Sequence, residues 1–151
     1  MTTHALIRFA GADDLAEMLK LYRELRPEDP ALPPKVAASR WADVLADANI
    51  RVVVAEVAGQ LASTCMIVLV PNLASGGRPF AVIEHVVTLT AQRGRGLGRA
   101  VLRHALEFAW SRDACKVMLL SGTKRAAAHR LYESVGFQGD AERGFVAKRK
   151  S

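Results

Sequence analysis

The sequence predicts a mixed α/β fold with elements in the order β-α-α-β-β-β-α-β-α-β. Three observations carry that reading. Runs dense in β-branched residues, Arg51 to Val57, Gln60 to Val70 and Ala81 to Leu89, are bounded by turn residues. Around them lie segments whose apolar positions recur at helical spacing. No repeat, low-complexity tract or dividing linker interrupts the 151 residues, so one domain over 1–151 is expected, long enough to bury a core without staples.

Taken in order, Ala5 to Phe9 is a short strand. Asp14 and Glu17 have the spacing of a capping box, after which Leu15, Met18, Leu19, Tyr22 and Leu25 mark the apolar face of a first helix. Prolines break the chain between Arg26 and Pro34. A second helix follows with Val36, Ala37, Trp41, Val44 and Leu45 on one face, and Ala58-Gly59 joins the next two strands as a hairpin. Pro71 to Pro79 is a loop, and Ala81 to Leu89 reads as a central strand. From Leu97, the residues Val101, Ala105, Phe108 and Ala109 hold helical spacing opposite Arg99, Arg103 and Glu107. Lys116 to Leu120 is then a strand, and Arg125 to Ser134 a helix closed by Gly136 with Phe137 as its apolar contact. A last strand is expected over Glu142 to Lys148.

Half of the residues are apolar, yet no run approaches the ~18 needed to cross a bilayer. The opening Met-Thr-Thr-His-Ala-Leu-Ile-Arg lacks the charged start and apolar block of a secretion signal, so a cytoplasmic location is expected, without membrane partners. Cys65 and Cys115 lie in apolar runs without metal-ligand spacing, which predicts free thiols and no metal. A formal charge of +6 would admit a polyanionic ligand. Nucleic acid is not expected as partner, because aromatics make up 6% and mostly sit on apolar stripes.

Chemistry is concentrated in Thr90-Ala-Gln-Arg-Gly-Arg-Gly-Leu-Gly-Arg99, three glycines and three arginines at a strand-to-helix junction. The first N–H groups of a helix are unpaired and carry partial positive charge, so they bind phosphate, and glycine lets a ligand approach the backbone. The dinucleotide pattern GxGxxG fails here, since Arg99 or Val101 stands where its third glycine belongs. A P-loop fails as well, because Gly98-Arg99-Ala100 is not Gly-Lys-Ser/Thr.

What fits is Arg93-x-x-Gly96-x-Gly98. Together with Ile83-Glu84-His85-Val86-Val87-Thr88 before it and Ala128-His-Arg-Leu-Tyr-Glu-Ser-Val-Gly-Phe137 after it, this pattern makes nearly the whole chain resemble the GNAT superfamily of N-acetyltransferases. The resemblance implies the GNAT fold, a mixed but mostly antiparallel sheet flanked by about four helices, and acetyl-CoA as cosubstrate. It implies that backbone groups of Val86, Val87 and Thr88 pair with the pantetheine arm. Arg93 and the turn Gly94, Arg95, Gly96, Leu97, Gly98 and Arg99 would hold the pyrophosphate. It also allows a homodimer.

Moving an acetyl group from a thioester to an amine requires a base for the amine and an acid for the thiolate. Glu84, a carboxylate within an apolar strand, and Tyr132, the tyrosine of the closing-helix motif, are the expected base and acid. Strand alternation sends the neighbouring His85 to the opposite face. No Cys or Ser stands in a nucleophile motif with His, so direct attack is expected. Where many family members carry a cofactor-contacting asparagine, this chain has Thr123-Lys124-Arg125, and Lys124 or Arg125 could replace it. The expected acceptor is a small primary amine, such as an amino-sugar phosphate, because Arg23, Arg26 and Arg78 suit an anion. Tyr22, Asn72 and Phe80 are further candidates for its pocket. The competing readings are an acetyl-CoA sensor without catalysis and a basic nucleic-acid-binding module.

Overall fold

The alternation of apolar residues along the strands builds two cores, one on each face of a five-stranded sheet. A computed structural model of the chain describes residues 4–150. The strands are β1 (Leu6–Phe9), β2 (Ile50–Val57), β3 (Gln60–Val70), β4 (Phe80–Thr88) and β5 (Val117–Met118), side by side in that order. All neighbours are antiparallel except β4 and β5, which run parallel. Helices α1 (Leu15–Leu25) and α2 (Pro34–Ala46) cover one face, and α3 (Leu97–Ser111) and α4 (Ala126–Ser134) the other. Val52 and Val54 of β2 meet Met18, Leu21 and Trp41, while Val53, Ala55 and Val57 turn to Val101, Leu102 and Ala105 of α3.

Arg8 fixes the start of α1. Its guanidinium donates to both carboxylate oxygens of Asp14 at 2.8 and 2.9 Å, and its Nε donates to Glu56 on β2 at 3.0 Å. This fork explains why the expected capping box does not form. Asp14 is committed to Arg8 and to the Gly11 N–H at 2.7 Å, within a 3₁₀ turn at Ala12–Asp14, and Glu17 reaches instead to the Leu61 N–H at 3.3 Å. A carboxylate cap would be charge-assisted too, but Arg8 offers Asp14 two donors and a full opposite charge. Helix α2 begins with Pro34 in its first turn, where a missing N–H costs nothing, and is tied down by Trp41 Nε1 donating to the Gly11 carbonyl at 3.1 Å.

The other expected elements hold to within a few residues, with two corrections. Of Lys116–Leu120 only Val117–Met118 is paired, because β5 meets β4 through Ala81 and Val82 and then leaves it. The expected strand Glu142–Lys148 is not formed. Its only large apolar residues, Phe145 and Val146, are 85% and 63% exposed, and Arg143, Lys148, Arg149 and Lys150 dominate the rest. With no apolar face to bury, the segment gains nothing to offset the entropy of joining the sheet. At the end of α4 the Gly136 expectation holds: its φ is +103°, its N–H donates to Glu133, and the Phe137 N–H reaches the Tyr132 carbonyl at 3.1 Å.

Arg8 and its hydrogen bonds hold the Asp14 carboxyl below the usual carboxylate range, partly offset by burial. Such a group stabilises the fold above its unfolded pKa, and the contribution disappears as pH falls through the lower folded value. Asp14→Asn is therefore expected to cost about 2 kcal/mol at pH 7, with the gap to wild type narrowing once pH is taken below the ordinary aspartate value of ~3.9. Urea unfolding at both pH values checks this.

Candidate active site

The parting of β4 and β5 opens the site. Past Val82 the β5-facing edge of β4 has no strand partner among the described residues. The cleft between the two strands is lined by Ile83, Glu84, His85 and Val86 on one side and by Leu119 and Leu120 on the other. Leu25 and Arg26 at the end of α1, with Arg125 and Tyr132 of the α4 region, complete it. Glu84 and Tyr132, the two residues proposed from sequence for proton transfer, thus share one cleft.

A β-bulge shapes its floor. On β3, Met66 stands opposite Glu84 and Thr64 opposite Val87, so the single residue Cys65 faces both His85 and Val86. His85 takes φ +56°, a left-handed conformation rare outside glycine but several-fold enriched in His and Asn. The bulge reverses the phase of the strand. Ile83 and Val86 pack on the α3/α4 side and Val87 on the α1/α2 side. The expectation that His85 faces away from Glu84 is corrected: its ring lies edge-on to Tyr22 of α1 at 5.5 Å, and Nδ1 is 4.0 Å from Glu84 Oε2.

Tyr132 is almost fully buried and packs edge-on against Phe137 at 6.2 Å. Burial pushes its phenol above the usual tyrosine value, against the opposing pull of the Arg125 charge, so it is protonated at neutral pH. Cys65 is buried, its Sγ 3.5 Å from the Val101 carbonyl, and burial pushes its thiol up to about 12. That thiol is no nucleophile.

The glycine turn runs from the end of β4 into α3. A 3₁₀ turn at Thr90–Gln92 leads into it, and Gly94 and Gly96 have φ of +78° and +76°, with open space where a Cβ would stand. The first amide paired into the helix is that of Ala100, donating to Gly96 at 3.0 Å. Among the described residues the amides of Gly94 through Arg99 have no acceptor. Alternating left-handed glycines ahead of a helix start make a concave nest of N–H groups for an anion. The Leu97 side chain is buried, leaving only its backbone for a ligand. Gly98 serves packing, since a Cβ there would lie 3.2 Å from Leu131 and 3.4 Å from the Thr88 hydroxyl.

The arginines of the turn differ in use. Arg93 donates from Nε to the Thr88 carbonyl at 3.3 Å, and Arg99 reaches the Ser134 carbonyl at 3.4 Å, tying the turn to β4 and α4. Arg95 and Arg103 are exposed. Of the two candidates before α4, Arg125 lines the cleft, whereas Lys124 is exposed and not part of its lining. Arg78 is drawn off into a pair with Asp113 at 3.2 Å, and Asn72 accepts the Ala74 N–H within its own loop at 3.1 Å. Neither lines the cleft.

Sequence reasoning missed Glu24. It accepts both the N–H of Thr90, at 2.6 Å, and the Thr90 hydroxyl, which latches α1 to the start of the turn. Those donors hold its carboxyl below the usual range. A helix residue paired 66 positions away leaves no local pattern. Among the described residues Gln92 Oε1 is a buried side-chain atom without a hydrogen-bond partner. Among the described residues no three His, Cys, Asp or Glu side chains gather as a metal site, and no helix is long and apolar enough to cross a membrane.

An amide nest at a helix start, an unpaired strand edge beside it and a carboxylate and phenol in the adjoining cleft suit a phosphate-bearing acyl donor. Residues 15–137 match the acetyltransferase (GNAT) family, and the chain belongs to that family of N-acetyltransferases. Glucosamine 6-phosphate N-acetyltransferase of Trypanosoma brucei brucei is 29% identical over 134 residues, 87% of this chain and 88% of that one. A solved protein of Agrobacterium tumefaciens str. C58, assigned as an acetyltransferase, has 43% identity and a TM-score of 0.91 over 95% of this chain and 99% of its own. An aminoglycoside N-acetyltransferase solved in complex with CoA shares the fold at 15% identity, with a TM-score of 0.82 over 99% of this chain and 98% of that one.

Gly98→Val is expected to destabilise the protein by about 1–3 kcal/mol, because the added methyls must push Leu131 and Thr88 aside. Thermal unfolding checks it.

Proposed function

We propose that the protein transfers the acetyl group of acetyl-CoA to the primary amine of a small acceptor carrying an anionic group, by direct attack. The observation that carries this reading is the shared cleft of Glu84 and Tyr132, which adjoins the turn of unpaired amides. In this reading the amides of Gly94 through Arg99 bind the pyrophosphate, with Arg93 and Arg95 adding charge. The edge of β4 at Val86, Val87 and Thr88 aligns the pantetheine arm as an added strand. Acetyl-CoA supplies the activated acyl group. Glu84 accepts the amine proton as the C–N bond forms, and Tyr132 donates to the sulfur as the C–S bond breaks. The inert thiol of Cys65 supports direct transfer over an acetyl-enzyme. Two free cysteines support action in the reducing cytoplasm.

The anionic acceptor is supported by Arg26 and Arg125, which line the cleft from opposite sides and have no carboxylate within ion-pair distance among the described residues. They favour a phosphate or carboxylate while Glu84 receives the amine. The likeness to glucosamine 6-phosphate N-acetyltransferase points the same way.

The test is release of CoA thiol with an amine panel that includes glucosamine 6-phosphate and glucosamine. Glu84→Gln should lower kcat/KM for the acceptor by ~10²–10⁴ and Tyr132→Phe by at least ~10-fold, both with little change in the KM for acetyl-CoA. Arg26→Ala and Arg125→Ala should erase the preference for the phosphorylated amine. Wild-type rates in the Glu84 and Tyr132 variants would sink the proposed acid and base.

A further inference from the structure

We propose that His85 is a second hydrogen-bond acceptor for the reacting amine, so that one substrate nitrogen is held between the Glu84 carboxylate and a neutral His85 imidazole. This rests on the reading of Glu84 as base. In an unbroken strand His85 would point to the α3/α4 core. The bulge opposite Cys65 turns it to the same side as Glu84 instead. Two consecutive residues of one strand thereby present polar side chains to one cleft, at the cost of a positive φ in a non-glycine residue. Strain of this kind, next to a site, marks a side chain that has been re-aimed.

The distance suits the task. Glu84 Oε2 and His85 Nδ1 are 4.0 Å apart, too far to bond each other. A nitrogen about 2.9 Å from each would see them roughly 90° apart, close enough to tetrahedral for two of its N–H groups to be shared out between them. Tyr22 lies against the imidazole at 5.5 Å and sets its plane. The nearer nitrogen is Nδ1, so the ring accepts in the tautomer protonated on Nε2. As the C–N bond forms, the proton passes to Glu84, and His85 keeps the nitrogen oriented without gaining one.

Acceptance fails when the imidazole is protonated, since the cation has no lone pair and repels an ammonium. The groups facing His85 are Glu84 on its own strand, Tyr22 and Arg26 from α1, and Arg125 and Tyr132 across the cleft. Cys65 opposite the bulge turns away to Val101. Burial pushes the Tyr22 phenol to about 12, so it stays neutral beside the imidazole.

His85→Asn tests this, because Asn tolerates the left-handed conformation and keeps an acceptor oxygen. His85→Phe keeps a ring against Tyr22 and removes the acceptor. The KM for acetyl-CoA, expected within twofold of wild type in both, reports that each variant is folded. The expected results are a KM for the acceptor within about threefold of wild type in His85→Asn and raised at least tenfold in His85→Phe. A KM raised as far in His85→Asn as in His85→Phe, or a wild-type acceptor KM in His85→Phe, overturns the proposal. Glu84→Gln, run alongside, separates the two readings: if it is inactive while both His85 variants behave as wild type, only the role of His85 fails. If it too is unaffected, the Glu84 base fails with it.

Discussion

The site depends on one constraint, the early parting of a parallel strand pair. Strands β4 and β5 are joined through Ala81–Val117 and Val82–Met118 and no further. An unpaired strand edge inside a domain is costly unless water or a ligand satisfies its N–H and C=O groups. Here that edge becomes a wall of the cleft, and Glu84, His85 and Val86 are where the ladder would have continued. Closing the sheet would complete the hydrogen bonding and abolish the site.

Around that opening the fold spends its strongest polar interactions on position. Arg8 locks Asp14 and Glu56 together, which fixes the approach to α1. Near its other end, α1 is latched by Glu24 to Thr90 at the start of the glycine turn. The helix that brings Leu25 and Arg26 to the cleft, and Tyr22 against His85, is therefore held at both ends. One of those ends is also the entry to the amide nest, so the cleft and the glycine turn share a mechanical support.

Local chemistry made much of this legible. The glycine turn was readable because its φ values and its unpaired amides follow from residue type and from the start of a helix. Glu84 stood out as a charge in an apolar strand, and Tyr132 as a phenol on an apolar helix stripe. His85 was misread because alternation assumes an unbroken strand, and nothing in Glu84-His85-Val86 announces an extra residue. Asp14 was misread as a cap because Arg8, six residues earlier, competes for the same oxygens. Glu142–Lys148 looked like a strand by residue type, but strand formation needs a partner and a face to bury, and neither is written in the segment.

By itself, the sequence determined the order of the elements through α4, the family resemblance and the glycine turn ahead of a helix, because each rests on periodicity or on residues close together in the chain. Tertiary structure alone decided which arginines reach the cleft, on which side His85 lies and what holds α1 to the turn. Those outcomes depend on register and on pairs many residues apart. A single extra residue in one ladder reverses every side chain beyond it, and no local pattern records that choice.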